Sequence, residues 1–234
     1  EDQIMPVARE LAVIPLSQSA LVNASPLTQT FPLFRDKSGV YYFPDTISVF
    51  GEFGFAMNVV DKREGTNNVY QFHRAELMVD GNLEFELSYD RIPFNQGKFA
   101  KTMIEYDLKR KNLGEFQKLY RLPEHRKISI HSSDKSGILG LAPGVHSVEI
   151  RIFDAHGNKT IIRGTVAATF PMTLEASEIF RDDKVVTLAL SPKRGGLALR
   201  DAVVYSFTKY GFADKKVEII HSEKVKKDLH ITLQ

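Results

Sequence analysis

The sequence predicts an all-β fold made of two successive modules. Apolar residues recur at every second position over several stretches, Asp-Gly and Gly-Asn corners separate such stretches, and the alternation restarts after Pro171. A period of two is typical of strands that bury one face. The chain has 234 residues, 43% of them hydrophobic, which is enough for a sizeable core and allows one or two domains.

Residues 1–30 are predicted to form an extended lead-in that docks on the sandwich formed by the next part of the chain. They are rich in Pro, Ser, Thr and Asn, and their apolar residues come in short bursts such as ELAVIPL. Residues 46–62 and 69–92 then alternate as half-buried strands do. Within the second stretch, Asp80 and Gly81 suit the positive φ angles of a two-residue type I′ turn and predict a β-hairpin.

Residues 144–170 alternate on both sides of the sequence DAHGN and predict a second hairpin. Strands at this spacing, with polar turns between them, favour an immunoglobulin-like antiparallel β-sandwich over residues 31–170. Five short candidate strands lie in residues 171–234. They predict a second small β-sandwich-like module. Because the chain stops at Gln234, we expect this module to be truncated.

Residues 94–112 interrupt the strand pattern and predict a helical insertion, with a helix from about 97 to 111. Its apolar residues form two adjacent rows along one side of the helix and together make one apolar stripe. Glu105 and Lys109 form a favourable i, i+4 ion pair. The first row is Phe99, Met103 and Tyr106, and the second row is Ala100, Ile104 and Leu108. One interpretation is that the stripe covers an open face of the sandwich. The other is a basic groove for an anionic polymer, with Tyr106, Lys109, Arg110 and Lys111 as the ligand or partner surface.

Composition excludes several classes of protein. The formal net charge of +2 argues against a nucleic-acid partner, and the absence of cysteine excludes disulfides, thiol nucleophiles and thiolate metal sites. No stretch approaches the eighteen apolar residues of a membrane span. The first residues lack the order of a signal peptide, and the chain begins with Glu1, so we expect a fragment or a processed product.

The order of several motifs between about residues 10 and 168 resembles a known family. The first two motifs are a G-x-x-G-F strand with Gly51, Gly54 and Phe55, and a V-D-G hairpin with Asp80 and Gly81. They are followed by an insertion with Phe94, Lys98 and Tyr106, and by a closing hairpin with His146, Asp154, Gly157 and Asn158. This order is similar to the region C-terminal to the catalytic domain in M23 (LytM-like) zinc metallopeptidases of Bacteroidetes-type bacteria, which are peptidoglycan endopeptidases. After residue 170 the resemblance weakens.

The resemblance implies a location in the bacterial cell envelope, periplasmic or extracellular, and a peptidase domain or another envelope protein as partner. The family holds its catalytic zinc with H-x-x-x-D and H-x-H motifs. None of the seven histidines here has Asp at i+4 or His at i+2. We therefore expect a non-catalytic accessory region with no cofactor, rather than an enzyme.

A metal site is not predicted from the residues themselves. His146 and His156 flank the second hairpin, but hydrogen bonds within the fold account for His146 more simply. The loops DKREGTNN and DAHGN contain Asp and Asn without the ligand spacing of a calcium loop.

Two functions remain open. One is an accessory module that positions a cell-wall peptidase, or packs against it, through direct protein contacts. The alternative is a carbohydrate-binding sandwich for peptidoglycan or another glycan, which the lack of tryptophan weakens. An exposed coplanar pair among the tyrosines would favour it; the candidates are Tyr41, Tyr42, Tyr70, Tyr89, Tyr106 and Tyr120.

Overall fold

A computed structural model describes most of the chain: residues 2–43, 45–62, 65, 68–90, 92–97, 101–123, 133–169, 174–193, 203–208, 213–226 and 228–234. It divides into two compact units, Glu1–Thr169 and Phe170–Gln234. The predicted boundary at Pro171 lies beside this division. The predicted all-β class is confirmed, because strands in several antiparallel sheets dominate both units.

The first unit contains thirteen described strands. In chain order they are β1 Val7–Pro15, β2 Leu21–Val22, β3 Gln29–Pro32, β4 Phe34–Arg35, β5 Tyr41–Tyr42, β6 Ile47–Phe50, β7 Phe53–Lys62, β8 Val69–Tyr70, β9 Arg74–Val79, β10 Asn82–Ser88, β11 Gln117–Lys118, β12 Gly144–Phe153 and β13 Lys159–Ala168. One sheet has the order β11-β7-β1-β3, with β8 also on β7. The larger sheet has the order β10-β9-β12-β13-β5-β4, with β6 on β13 and β2 on β6.

The connectivity is that of an immunoglobulin-like sandwich. Strands β7 and β11 pair in the smaller sheet as B and E do, and β10, β9, β12 and β13 have the order C′, C, F and G in the larger one. The described pairings are antiparallel except where β5 and β6 run parallel to β13.

The main core lies between the two sheets. Its largest buried side chains include Phe53 and Phe55, whose rings meet edge to face at 5.6 Å. Leu77, Ile150 and Ile162 are fully buried in the same cluster, on the inner face of the larger sheet. Each such side chain contributes about 1.5–3 kcal/mol to stability, so this layer dominates the stability of the unit.

The predicted lead-in over residues 1–30 contains an integral strand. Strand β1 pairs with β7 on one side and β3 on the other. Leu11 and Val13 face the main core, whereas Ala12 and Ile14 face a second apolar cluster with Phe116. A strand buried on both faces has a continuous apolar run instead of alternating apolar and polar residues. The continuous run ELAVIPL therefore gave no strand signal by alternation.

The predicted single helix over residues 97–111 is wrong in the described residues. A 3₁₀ turn, Lys101–Met103, is followed by a β-bridge between Ile104 and Gln117, and a helix α1 spans only Tyr106–Arg110. Glu105 is extended and donates its backbone N–H to Phe116, which separates the two turns. Another 3₁₀ turn spans Phe94–Gln96. Phe99 and Ala100 lie outside the described residues.

The insertion does cover a face of the sandwich. Met103 is buried in the main core, and Leu108 is buried in the second cluster with Ala56 of β7. Tyr106, predicted on the covering stripe, is instead 70% exposed. The break at Glu105 changes the phase of the turns, so the stripe does not continue through Tyr106.

Both predicted hairpins of the first unit are present. Asp80 and Gly81 have φ angles of 49° and 78°, as a type I′ turn between β9 and β10 requires. The second hairpin joins β12 and β13, and Asp154 closes its turn by accepting the backbone N–H groups of His156 and Asn158.

The second unit has six described strands instead of the predicted five. They are β14 Leu174–Arg181, β15 Val186–Pro192, β16 Val204–Phe207, β17 Ala213–Val217, β18 Ile219–Val225 and β19 Asp228–Leu233. One sheet has the order β14-β15-β19-β18, and β16 pairs with β17. The extra strand arises because the predicted strand KKVEIIHSE divides between β17 and β18. Leu229 and Ile231 form the buried centre of a small core.

Candidate functional site

The outer face of the larger sheet carries a continuous row of side chains across five strands. Met78 of β9 stands opposite Glu149 of β12, which stands opposite Arg163 of β13. The row continues to Tyr42 of β5 and Phe34 of β4. Because side chains alternate along a strand, these residues face outward while their neighbours fill the core. We call these five residues the outer row.

A cleft of about 570 Å³ lies along the outer row. Tyr42, Met78, Glu149 and Arg163 line it. Gly164 also lines it; the ring of Phe43 occupies the position where a Cβ atom at residue 164 would be. The missing side chain thus lets a core phenylalanine pack close to the backbone of β13.

Ion pairs cross the same face and balance its charge. The Nε groups of Arg151 and Arg163 donate to Glu149 at 2.7 and 2.8 Å. Burial opposes the ionisation of Glu149, but these hydrogen bonds outweigh it and lower the pKa of the carboxyl. Arg151 also reaches Glu76 at 3.3 Å. Arg74 extends the network to Glu76 and, at 3.0 Å, to Glu86.

The aromatic end of the outer row is partly exposed. Phe34 and Tyr42 are 48% and 40% exposed, and their ring centroids are 6.1 Å apart with a tilt of 35°. This pair is not coplanar. The other candidate tyrosines do not pair with one another in the described part of the chain. Tyr41 and Tyr120 are buried, Tyr70 and Tyr106 are exposed, and the Tyr89 ring lies 6.3 Å from that of Phe72.

The predicted ligand surface, Tyr106, Lys109, Arg110 and Lys111, lies on α1 and the residue that ends it. The Lys109 Nζ is 2.5 Å from Glu115, and Arg110 is 3.8 Å from Asp107. The predicted pairing of the Glu105 carboxylate with Lys109 is replaced by contacts of that carboxylate with Tyr120 and Lys118. None of the four residues lines the outer-row cleft, so this surface stays a prediction.

A smaller cavity of about 330 Å³ lies under the insertion. Lys101 and Ile104 of the insertion line it, together with Tyr89 and Gln117. Burial raises the pKa of the Tyr89 hydroxyl to about 12, so this group is neutral at physiological pH.

Two histidines of the first unit serve as hydrogen-bonding partners within the fold. His146 contacts Asp80 and the carbonyl of Ala142, each at 2.7 Å, and so ties β12 to the β9–β10 turn. These two bonds raise the pKa of His146. His73 contacts Asp90 at 2.7 Å. His125 and His131 lie outside the described residues.

Comparisons with protein-family models, curated proteins and solved structures found no match. Among the described residues, no helix is both long enough and apolar enough to span a membrane. The sandwich and the geometry of its outer row are therefore the basis for assigning a function.

Proposed function

We propose that this chain is a non-catalytic accessory region of an M23-type peptidoglycan endopeptidase in the bacterial cell envelope, and that it binds the peptidase domain through the outer row. The observation that carries the proposal is the composition of this row. Aromatic residues, methionine and arginine are enriched in protein–protein interfaces. The row places Tyr42, Met78 and Arg163 along one cleft, and Phe34 continues the row beside Tyr42.

The charges of the cleft also favour a protein partner over a polyanion. Arg163 and Arg151 are already paired with Glu149, and Glu149 is the less exposed partner of each pair. A nucleic acid or another polyanion would need unpaired cations. Arg163, 58% exposed, can still exchange its contact for a carboxylate of the partner.

The test is calorimetric titration of the chain with the purified M23-type catalytic domain from the same bacterium. We expect saturable binding that Tyr42→Ala and Arg163→Glu each weaken at least tenfold. Arg181→Glu is the matched control, because Arg181 is similarly exposed and paired with Glu178, but lies in the second unit. The proposal is wrong if no binding occurs, or if the two outer-row variants bind as tightly as the unaltered chain.

Glycan binding is the second candidate, and the partly exposed pair Phe34 and Tyr42 favours it. Aromatic side chains can stack on sugar rings, although the tilt of 35° offers a less continuous platform than a coplanar pair. Co-sedimentation with purified peptidoglycan sacculi separates the two candidates. Sedimentation that is lost in Phe34→Ala and Tyr42→Ala would support glycan binding, and release of soluble muropeptides from the sacculi would contradict a non-catalytic role.

A further inference from the structure

Three segments that are distant in sequence meet beside the β12–β13 turn. Asp2 comes from the start of the chain, Asp61 from the end of β7, and Asp154 and His156 from the turn itself. The Asn158 amide donates to the carbonyl of Asp2 at 2.9 Å, and the Thr160 hydroxyl donates to the carbonyl of Pro6 at 2.6 Å. These bonds hold the N-terminal segment against the hairpin.

The ligand atoms of Asp2, Asp154 and His156 all lie within 4.8 Å of one another. The Nδ1 atom of His156 is 3.9 Å from a carboxylate oxygen of Asp2. A metal ion bound at ordinary ligand distances of about 2.0–2.4 Å fits atoms with this spacing. His156 is the most accessible member, with 36% of its side chain exposed, and offers an entry path.

The carboxylates of this group are buried. The Asp2 side chain is 4% exposed and Asp154 is 2% exposed. Ionised carboxylates that are removed from water need a compensating positive charge or several hydrogen bonds. Asp154 has such bonds from the backbone of His156 and from the backbone and side-chain amide of Asn158. Since its Oδ2 atom accepts a single one of these, that oxygen retains capacity for a metal ion.

Asp61 is a second, independent observation beside this group. It is 9% exposed, and its Oδ1 atom is buried with no hydrogen-bond partner among the described residues. Asp61 is close enough to Asp154, Asp2 and His156 for the charges of all three to act on its carboxylate. Asp61 thus lies beside the three residues whose ligand atoms are grouped, with no hydrogen-bond partner for its buried Oδ1 atom among the described residues.

We propose that Asp2, Asp154 and His156, with Asp61 beside them, bind a divalent metal ion that accepts both carboxylate oxygen and imidazole nitrogen, such as Zn²⁺ or Mn²⁺. Calcium and magnesium prefer ligand sets made of oxygen alone. The site would join the N-terminal segment to the hairpin, and it does not depend on the function proposed above. The sequence predicts no metal site because each loop alone lacks a ligand spacing.

The test is calorimetric titration of the full chain, after treatment with a chelator, with ZnCl₂, MnCl₂ and CaCl₂ separately. We expect one equivalent of Zn²⁺ or Mn²⁺ to bind at least tenfold more tightly than Ca²⁺. Asp2→Asn and His156→Ala should each weaken this binding at least tenfold. His73→Ala is the matched control, because His73 is similarly exposed and contacts an aspartate elsewhere in the same unit. Far-ultraviolet circular dichroism verifies that each variant is folded.

Asp61→Asn provides a second readout through thermal melting. Without metal, this variant should melt at a higher temperature than the unaltered chain, because repulsion from Asp2 and Asp154 is relieved. With saturating metal, it should gain less stability than the unaltered chain gains. The proposal is overturned if neither Zn²⁺ nor Mn²⁺ binds saturably, or if Asp2→Asn and His156→Ala bind as tightly as the His73→Ala control.

Discussion

Replacing Gly164 with alanine tests the packing that shapes the outer-row cleft. A Cβ atom at this position would lie well inside 3.0 Å of three ring atoms of Phe43, a separation that such carbons essentially never show. Phe43 is 4% exposed and belongs to the main core, so its ring cannot turn into solvent. Added volume in a packed core costs about 1–3 kcal/mol, and we expect Gly164→Ala to destabilise the first unit by at least this much.

The assay is urea unfolding, monitored by circular dichroism, with Gly140→Ala as the control. A Cβ atom at Gly140 meets nothing within 4 Å, so that variant should change stability by no more than about 1 kcal/mol. The double variant Gly164→Ala with Phe43→Leu should recover part of the loss, because the smaller side chain makes room. The packing argument fails if Gly164→Ala and Gly140→Ala unfold at the same urea concentration.

Three further predictions concern the insertion, a hairpin and the second unit. Met103→Ala should cost about 2–5 kcal/mol, whereas Tyr106→Ala should cost under about 0.5 kcal/mol; equal losses in urea unfolding would contradict the described covering role. Hydrogen bonds raise the pKa of His146 above its ordinary 6.5 and lower that of Asp80 below 3.8. The His146 contribution is complete below 6.5 and is lost as the pH rises through the raised pKa, while the Asp80 contribution is lost as the pH falls below 3.8. The stability lost in His146→Ala should therefore be larger near about pH 5.5 than near about pH 8.5, and a loss that does not change with pH would refute this. Ile231→Ala should destabilise the second unit by about 2–5 kcal/mol; hydrogen exchange should accelerate in residues 174–234, and acceleration confined to residues 2–169 would contradict the division into units.

Regular alternation made much of the first unit predictable. Strands β9, β10, β12 and β13 bury one face each, and the turn residues Asp80 and Gly81 fix the register of their hairpin. Strand β1 was missed because burial on both of its faces removes the alternation. The break at Glu105, inside the predicted helix, also depends on a distant contact, the hydrogen bond from its backbone N–H to Phe116, which local spacing cannot reveal.

Predicting the candidate sites requires knowledge of which strands pair, whereas predicting the fold class does not. The alternating polar residues Glu149 and Arg151 in VEIRI mark an outward face, and this signal was available in the sequence. That Tyr42 continues the row beside Arg163 results from the parallel pairing of β5 with β13, which has no short-range signature. The meeting of Asp2, Asp61 and Asp154 likewise requires the folded unit.

The position of β1 within its sheet has a consequence for how the first unit assembles. Residues 7–15 leave the ribosome before their partner β7, which emerges roughly forty residues later, and β6 can form its parallel ladder only after β13 at residues 159–168 has been made. Pairings of such long range slow folding and expose strand edges in the meantime. In a nascent chain of this protein, the apolar β1 segment therefore stays partly exposed to solvent until nearly the whole first unit has been synthesised.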